Sequence, residues 1–323
     1  VTDRNGLITT GSATTYPTQT IAGTLQISSG SLFARGRNTS GNNLAYGEFA
    51  LASITTAGSN TGLGNGALQS ATTGGGNLAV GGAALSNMTT GQNNVGIGNQ
   101  AQLNNISGSN NTAIGANTLQ NNVAGFNLAI GTDALKNNTT GQYNNAIGDS
   151  SLYFNTIGEQ NTAIGKNTLF FNTSGSYNIG IGGGALSSNV SGSNNVAIGG
   201  SALASSIGSG NVAIGKSAGY YSTGSNQFFV GNDDYGGLSN EQNKSLIYGE
   251  FNGTTANQNL RINANTKIIG DVMFSSGSNK TMGTVALDGG NPGTATVSNS
   301  LVTANSLIFL TKQTLTNAHM VAV

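Results

Sequence analysis

The octapeptide GNVAIGKS, residues 210–217, has the spacing of a phosphate-binding loop, G-x-x-x-x-G-K-[ST]. In such a loop backbone N–H groups cradle a phosphate and the Lys reaches its outer oxygens. GLGNGA (62–67), GIGNQA (96–101) and GIGGGA (180–185) match the dinucleotide fingerprint G-x-G-x-x-[GA]. Both chemistries require a strand that runs into a helix, because the helix N-terminus holds the phosphates. No helical pattern follows any of these segments, and the dinucleotide matches all fall at one phase of a repeat. The repeat, not a cofactor, explains the glycines.

Nucleophilic or metal-centred chemistry has little to work with. Cys is absent and His319 is the only His, so neither a Ser–His pair nor an imidazole metal site is expected within one chain. Asp233 and Asp234, in GNDDYGG (231–237), offer carboxylates to Ca²⁺, but the supporting oxygen pattern is missing and a cap turn is the plainer reading. Asp149 and Lys166 occupy equivalent places in adjacent repeats and read as a stacked surface ion pair, worth at most about 1 kcal/mol. No catalytic, cofactor or metal site is expected, and the chain reads as a non-enzyme.

Composition points the same way. Of 323 residues, 51 are Gly, only 2 are Pro and 7% are charged, far below the roughly 25% of an ordinary globular domain. Acidic and basic residues number 11 each and are scattered singly, so no footprint for nucleic acid or anionic lipid is present. No apolar run approaches the roughly 20 residues of a membrane-spanning helix, and membrane insertion is not expected. The first residue is Val1 without a leader pattern, and the last residues stop within a strand-like run, so the chain reads as a piece of something longer.

What must position any site is the repeat itself. Twelve glycines serve as anchors: Gly47, Gly64, Gly81, Gly98, Gly115, Gly131, Gly148, Gly165, Gly182, Gly199, Gly215 and Gly231, at a stride of 17 or 16. Four before the anchor stands Asn in eleven units: Asn43, Asn60, Asn77, Asn94, Asn111, Asn127, Asn144, Asn161, Asn178, Asn195 and Asn211. Two before it the residue is small, as in Ala79, Gly96, Ala113 and Ala129. One before it stand Ile97, Ile114, Ile130, Ile147, Ile164, Ile181, Ile198 and Ile214. Four after it the residue is usually Leu, and ten after most anchors comes a second Gly.

A segment such as NTAIG has the alternation and β-branching of a short strand, while runs such as NNTTGQ favour turns. The expected fold is all-β: a β-solenoid, a parallel β-roll of about twelve 16–17-residue coils over 42–231, with small β domains at both ends. Coils stacked at strand spacing make a rod about 55–60 Å long. Like residues then lie above one another, so the Asn column becomes a hydrogen-bonded ladder and the Ile column an apolar stripe. Alternation sends Ile and Ala/Gly to opposite faces but leaves open which is inside. In either case a lone coil buries little, which predicts a homo-oligomer along the rod, a trimer.

Aromatic residues break the polar pattern. Tyr153, Phe154, Phe170 and Phe171 occupy places five and six after the anchor in consecutive units, and Tyr220–Tyr221 returns to them later. Phe126, Tyr143 and Tyr177 share a column five before it. These rings are a platform for sugar rings, through C–H contacts to aromatic faces, or they fill a subunit contact or stabilise the stack by offset pairing.

Units such as NTAIGKNTL (161–169), NNVAIGGSAL (194–203) and NVAIGKSAG (211–219) resemble the NSVAIG head repeats of trimeric autotransporter adhesins, a type also familiar in phage tail fibres and other bacterial surface proteins. The likeness covers residues 42–231, with a stride longer than that family's usual one. It implies a trimeric left-handed parallel β-roll that binds host surfaces. The stalk heptads and membrane barrel of a whole autotransporter are missing, and GTVALDGGNPGTATVSNSLVTANSLIFLTKQTL (283–315) is similar to small C-terminal β modules of phage fibres.

Residues 1–41, with TIAGTLQISSGSLFARG, read as an N-terminal β cap or attachment region. Residues 232–272 relax the period and read as a cap or transition, and 273–323 as an incomplete C-terminal β module. The expected function is a structural and adhesive fibre, a homotrimer in a virion tail or on a bacterial surface, meeting a glycan or receptor. The alternative is an extracellular filament subunit joining head to tail by strand addition. An ice-binding Thr array is disfavoured, since Thr61, Thr112 and Thr162 alternate with Leu and Val.

Overall fold

A computed structural model describes residues 42–232, 245–251 and 259–262. All belong to the first of two compact units, Val1–Ala264. The expected regions 1–41 and 273–323 lie outside the described residues, as do Asp233, Asp234 and His319.

The described residues are all-β and contain no helix. Eleven three-residue strands run from β1 (Leu44–Tyr46) to β11 (Val212–Ile214), followed by β12 (Gln227–Val230). From β1 to β12 each pairs in parallel with its neighbour in one continuous sheet. Ile97, Ile114, Ile130 and Ile147 are direct neighbours in the ladder, so the stride does place like on like. A β-solenoid results, one strand per coil.

The 16-residue coils keep this register because the missing residue is taken from the closing turn. In 17-residue coils the Asn amide reaches a carbonyl fourteen residues on, as from Asn60 to Gly74. In the shorter coils it reaches one thirteen on, from Asn111 to Ala124, Asn195 to Gly208 and Asn211 to Gly224. The strands never feel the deletion.

Which face is inside is also decided. The small column points inward and is fully buried from Ala79 to Ala213, whereas Ile114, Ile147, Ile164, Ile181, Ile198 and Ile214 are 36–42% exposed. The interior therefore rests on the Leu column, Leu51 to Leu203, packed against Ala and Gly. These Leu residues adopt φ of 50–53°. The left-handed conformation costs roughly 1–2 kcal/mol per residue, and burying a Leu side chain returns about 1.5–3 kcal/mol. Burial wins, but narrowly, which is why so thin a coil depends on its polar ladders as well.

At one end the pattern changes hands. In the last coil Phe229 takes the small column and Gly219 takes the Leu column, so the bulky side chain crosses to the other wall. The sheet then turns antiparallel through β13 (Ile247–Glu250) and β14 (Asn259–Ile262). Tyr248 of β13 packs on Phe229 at 5.2 Å and closes that end of the core.

Candidate functional site

The Asn column forms the expected ladder, with a division of labour that the sequence does not reveal. From Asn60 to Asn211, and on to Gln227, each backbone N–H donates to the side-chain Oδ1 of the Asn one coil earlier, at 2.9–3.0 Å. Each side-chain Nδ2 donates to the closing-turn carbonyl of its own coil, for example Asn144 to Gly158 at 2.9 Å. Direct amide-to-amide bonds occur at only some steps, such as Asn161 to Asn144 at 3.2 Å. These residues are buried, so the ladder satisfies backbone groups that would otherwise cost about 1–3 kcal/mol each.

A second ladder escaped the sequence reading. Asn122, Asn138, Asn155, Asn172 and Asn189, seven after the anchor, are buried and linked amide to carbonyl at 2.6–2.9 Å. Beside it, Thr139, Thr156 and Thr173 each donate a hydroxyl hydrogen bond to the carbonyl one coil on. Both columns carry the same stride as the anchors and could have been found by it.

The aromatic residues separate into two groups. Tyr153, Phe154, Phe170 and Phe171 form one cluster: Tyr153 stacks on Phe170 at 5.3 Å, Phe154 on Phe171 at 5.5 Å, and the two stacks meet edge to face. Lys136 sits 5.7 Å from the Tyr153 ring centre and holds an ion pair with Asp133 at 3.0 Å. Phe126 and Tyr143 stack at 5.2 Å in the other column. Tyr177 stands two coils beyond Tyr143, with Gln160 between, whose Nε2 donates to the Tyr177 hydroxyl at 3.1 Å.

Phe126, Tyr143 and Tyr177 are held at φ of 57–62°, a place filled elsewhere mostly by Gly or Asn (Gly76, Asn93, Asn110, Asn194, Gly210 and Asn226) and by Ser59 and Gln160. Glycine and asparagine tolerate that conformation and aromatic residues do not. All three rings are nevertheless half exposed, so burial does not repay the strain.

The Asp149–Lys166 pair does not form: Asp149 Oδ1 instead accepts from the Thr132 backbone N–H at 3.1 Å, a nearer and fixed donor than a mobile, solvated ammonium. Residues 215–221 continue as turns, with the Ser217 N–H donating to Gly200 and the Lys216 N–H to Asn232, so these amides are spent within the stack rather than pointed at a phosphate. Among the described residues no three acidic or imidazole groups gather as a metal site would need.

No protein-family model matches the chain, and no curated protein or solved structure matches it. Reading its function therefore rests on the solenoid and its surface.

Proposed function

We propose that the chain is a structural and adhesive fibre segment, assembling as a homotrimer along the solenoid axis and presenting a glycan- or receptor-binding surface, as in phage tail fibres or bacterial surface adhesins. One observation carries the reading: the Ile stripe lies outside a coil already filled by Leu, Ala and Asn, and repeats without a break over successive strands. A flat, regular apolar face of that length is what an interface between copies needs, and a monomer would leave it in water.

Sedimentation equilibrium of the purified chain tests the assembly. A discrete species of three times 32.3 kDa is expected. A stable monomer would remove the basis for this reading, and an open series of polymers would replace it with the head-to-tail filament.

A further inference from the structure

The ring ladder stops abruptly. Phe170 and Phe171 are its last rung, the next coil carries Ser187 and Ser188 in those places, the one after Ala204 and Ser205, and rings return at Tyr220 and Tyr221. The backbone does not change through this stretch. Phe171 N–H donates to the Ser187 carbonyl at 2.9 Å, Ser188 N–H to that of Ala204 at 2.9 Å, and Ser205 N–H to that of Tyr220 at 3.0 Å. Coil spacing is therefore kept while two rungs of rings are missing. A trough opens between two aromatic shelves, three strand spacings or about 14 Å apart.

At one end of the trough a shallow, open depression is lined by Phe154, Phe171, Thr173, Ser188 and Val190. Phe171 lies parallel to Phe154 on one side, at 5.5 Å and 4°, and the equivalent place in the coil on the other side holds the small Ser188. The Phe171 ring is accordingly half exposed, with no ring stacked on the side of Ser188.

We propose that this trough is a binding subsite for a short neutral oligosaccharide, with one pyranose ring stacked by its C–H face on Phe171. The inference rests on the adhesive reading above and names its ligand. A pyranose offers an apolar face and a rim of hydroxyls, so it needs a flat apolar shelf beside unspent polar groups. The Thr173 hydroxyl is already committed to the Val190 carbonyl. Those of Ser188 and Ser205, half-buried along the trough, make no side-chain hydrogen bond among the described residues and so remain available to a ligand's hydroxyls. An aromatic side chain from another protein would use the shelf but leave these hydroxyls unanswered. Charge settles the ligand's class further: none of the side chains five, six or eight places after the anchor, from Phe170 to Thr223, is acidic or basic. The coil holds the shelf rigidly in place, so little ordering is needed on binding.

Saturation-transfer NMR on the full chain, with cellobiose, lactose and methyl mannoside as probes, tests the site. Transfer to the ring C–H protons of at least one probe is expected. It should fall at least tenfold in Phe171→Ser, which removes the shelf, and in Ser188→Phe, which runs the ring ladder on into the trough. Sedimentation of the same samples keeps assembly separate, and both variants should retain the wild-type mass. No transfer to any probe, or transfer undiminished in Ser188→Phe, overturns the proposal. So does a change of mass in Ser188→Phe without saccharide transfer, which would mean that a second copy fills the trough. A wild-type chain that stays monomeric yet binds saccharide through Phe171 would sink the fibre reading and leave this site standing.

Discussion

The backbone N–H of Asn178 donates to the Oδ1 of Asn161 at 3.0 Å, while the Asn161 amide donates to the Gly175 carbonyl at 2.8 Å. One buried side chain thus joins its own coil to its own closing turn and to the next coil. Asn161→Ala strands both backbone groups away from water, at about 1–3 kcal/mol each. Urea unfolding should show a loss of about 3 kcal/mol. A loss under 1 kcal/mol would mean that the ladder is ornament on a stack held by strands alone.

The second ladder ends badly, and the fault can be repaired. Asn189 donates to Asn172, but the next place holds Ser206, too short to continue, and Asn189 Oδ1 and Ser206 Oγ are both buried without partners. Ser206→Asn supplies an amide at the height where the previous four steps have one. Stability should rise by about 1–2 kcal/mol, the cost recovered from an unpaired buried acceptor. Thermal unfolding reads the sign directly.

Anchor glycines should be intolerant where an open glycine such as Gly183 is not. Gly148 has φ of 134°, and a Cβ there would lie 2.6 Å from both the C and the O of Gly165 in the next coil. Backbone cannot retreat from that contact without breaking the stack. At Gly183 the nearest atom to an added Cβ is the Lys166 carbonyl oxygen, 3.7 Å away. Gly148→Ala should lower the melting temperature sharply and Gly183→Ala should leave it unchanged; equal effects would show that the anchor column serves something other than close approach.

How far the sequence foretold this molecule follows from what each column does. A Gly such as Gly148 and an Asn such as Asn161 announce themselves, because only those residue types meet the backbone demands of their places. Strand phase was legible for the same reason, since Val95, Gly96 and Ile97 can only be read as extended. The inner face was not legible: alternation separates Ile97 from Gly96 without saying which meets the core. The conformation of the Leu column was not legible either, because nothing in Leu119 hints at a φ of 50°. The column of Asn122 is shorter than the anchors' own, since the same place holds Met88 in an earlier coil and Ser206 in a later one, and so it stands out less. The trough above Phe171 was invisible for a different reason. It is made by what Ser188 lacks.

Strain at Tyr177 gives a prediction about stability and function together. Its φ is 60°, its ring is half exposed and, unlike Phe126 and Tyr143, it stacks on no neighbouring ring. Tyr177→Asn relieves a left-handed aromatic residue and gives up only a surface hydrogen bond from Gln160. A gain of about 1 kcal/mol is expected in urea unfolding. Weaker adhesion in the same variant would show that the strain is kept for contact. A variant less stable than wild type would mean that the ring is held by packing instead.

The Ile stripe can be tested without touching the core. Ile147 and Ile164 lie side by side on β7 (Asn145–Ile147) and β8 (Thr162–Ile164) and point outward. The outward residues two places earlier on these strands, Asn145 and Thr162, are already polar, so the single coil tolerates polar groups on this face. Lys in place of either Ile keeps its stem on the sheet and its ammonium in water as long as the face is free. Packed against another copy, the same ammonium would be desolvated without a partner, at a cost of several kcal/mol for each one buried. Ile147→Lys/Ile164→Lys should therefore leave the far-ultraviolet circular dichroism of the coil unchanged while the sedimenting mass falls to that of one chain. Retention of the wild-type mass would place the contact between copies on another face, and loss of the β signal would mean that the stripe belongs to the coil's own stability.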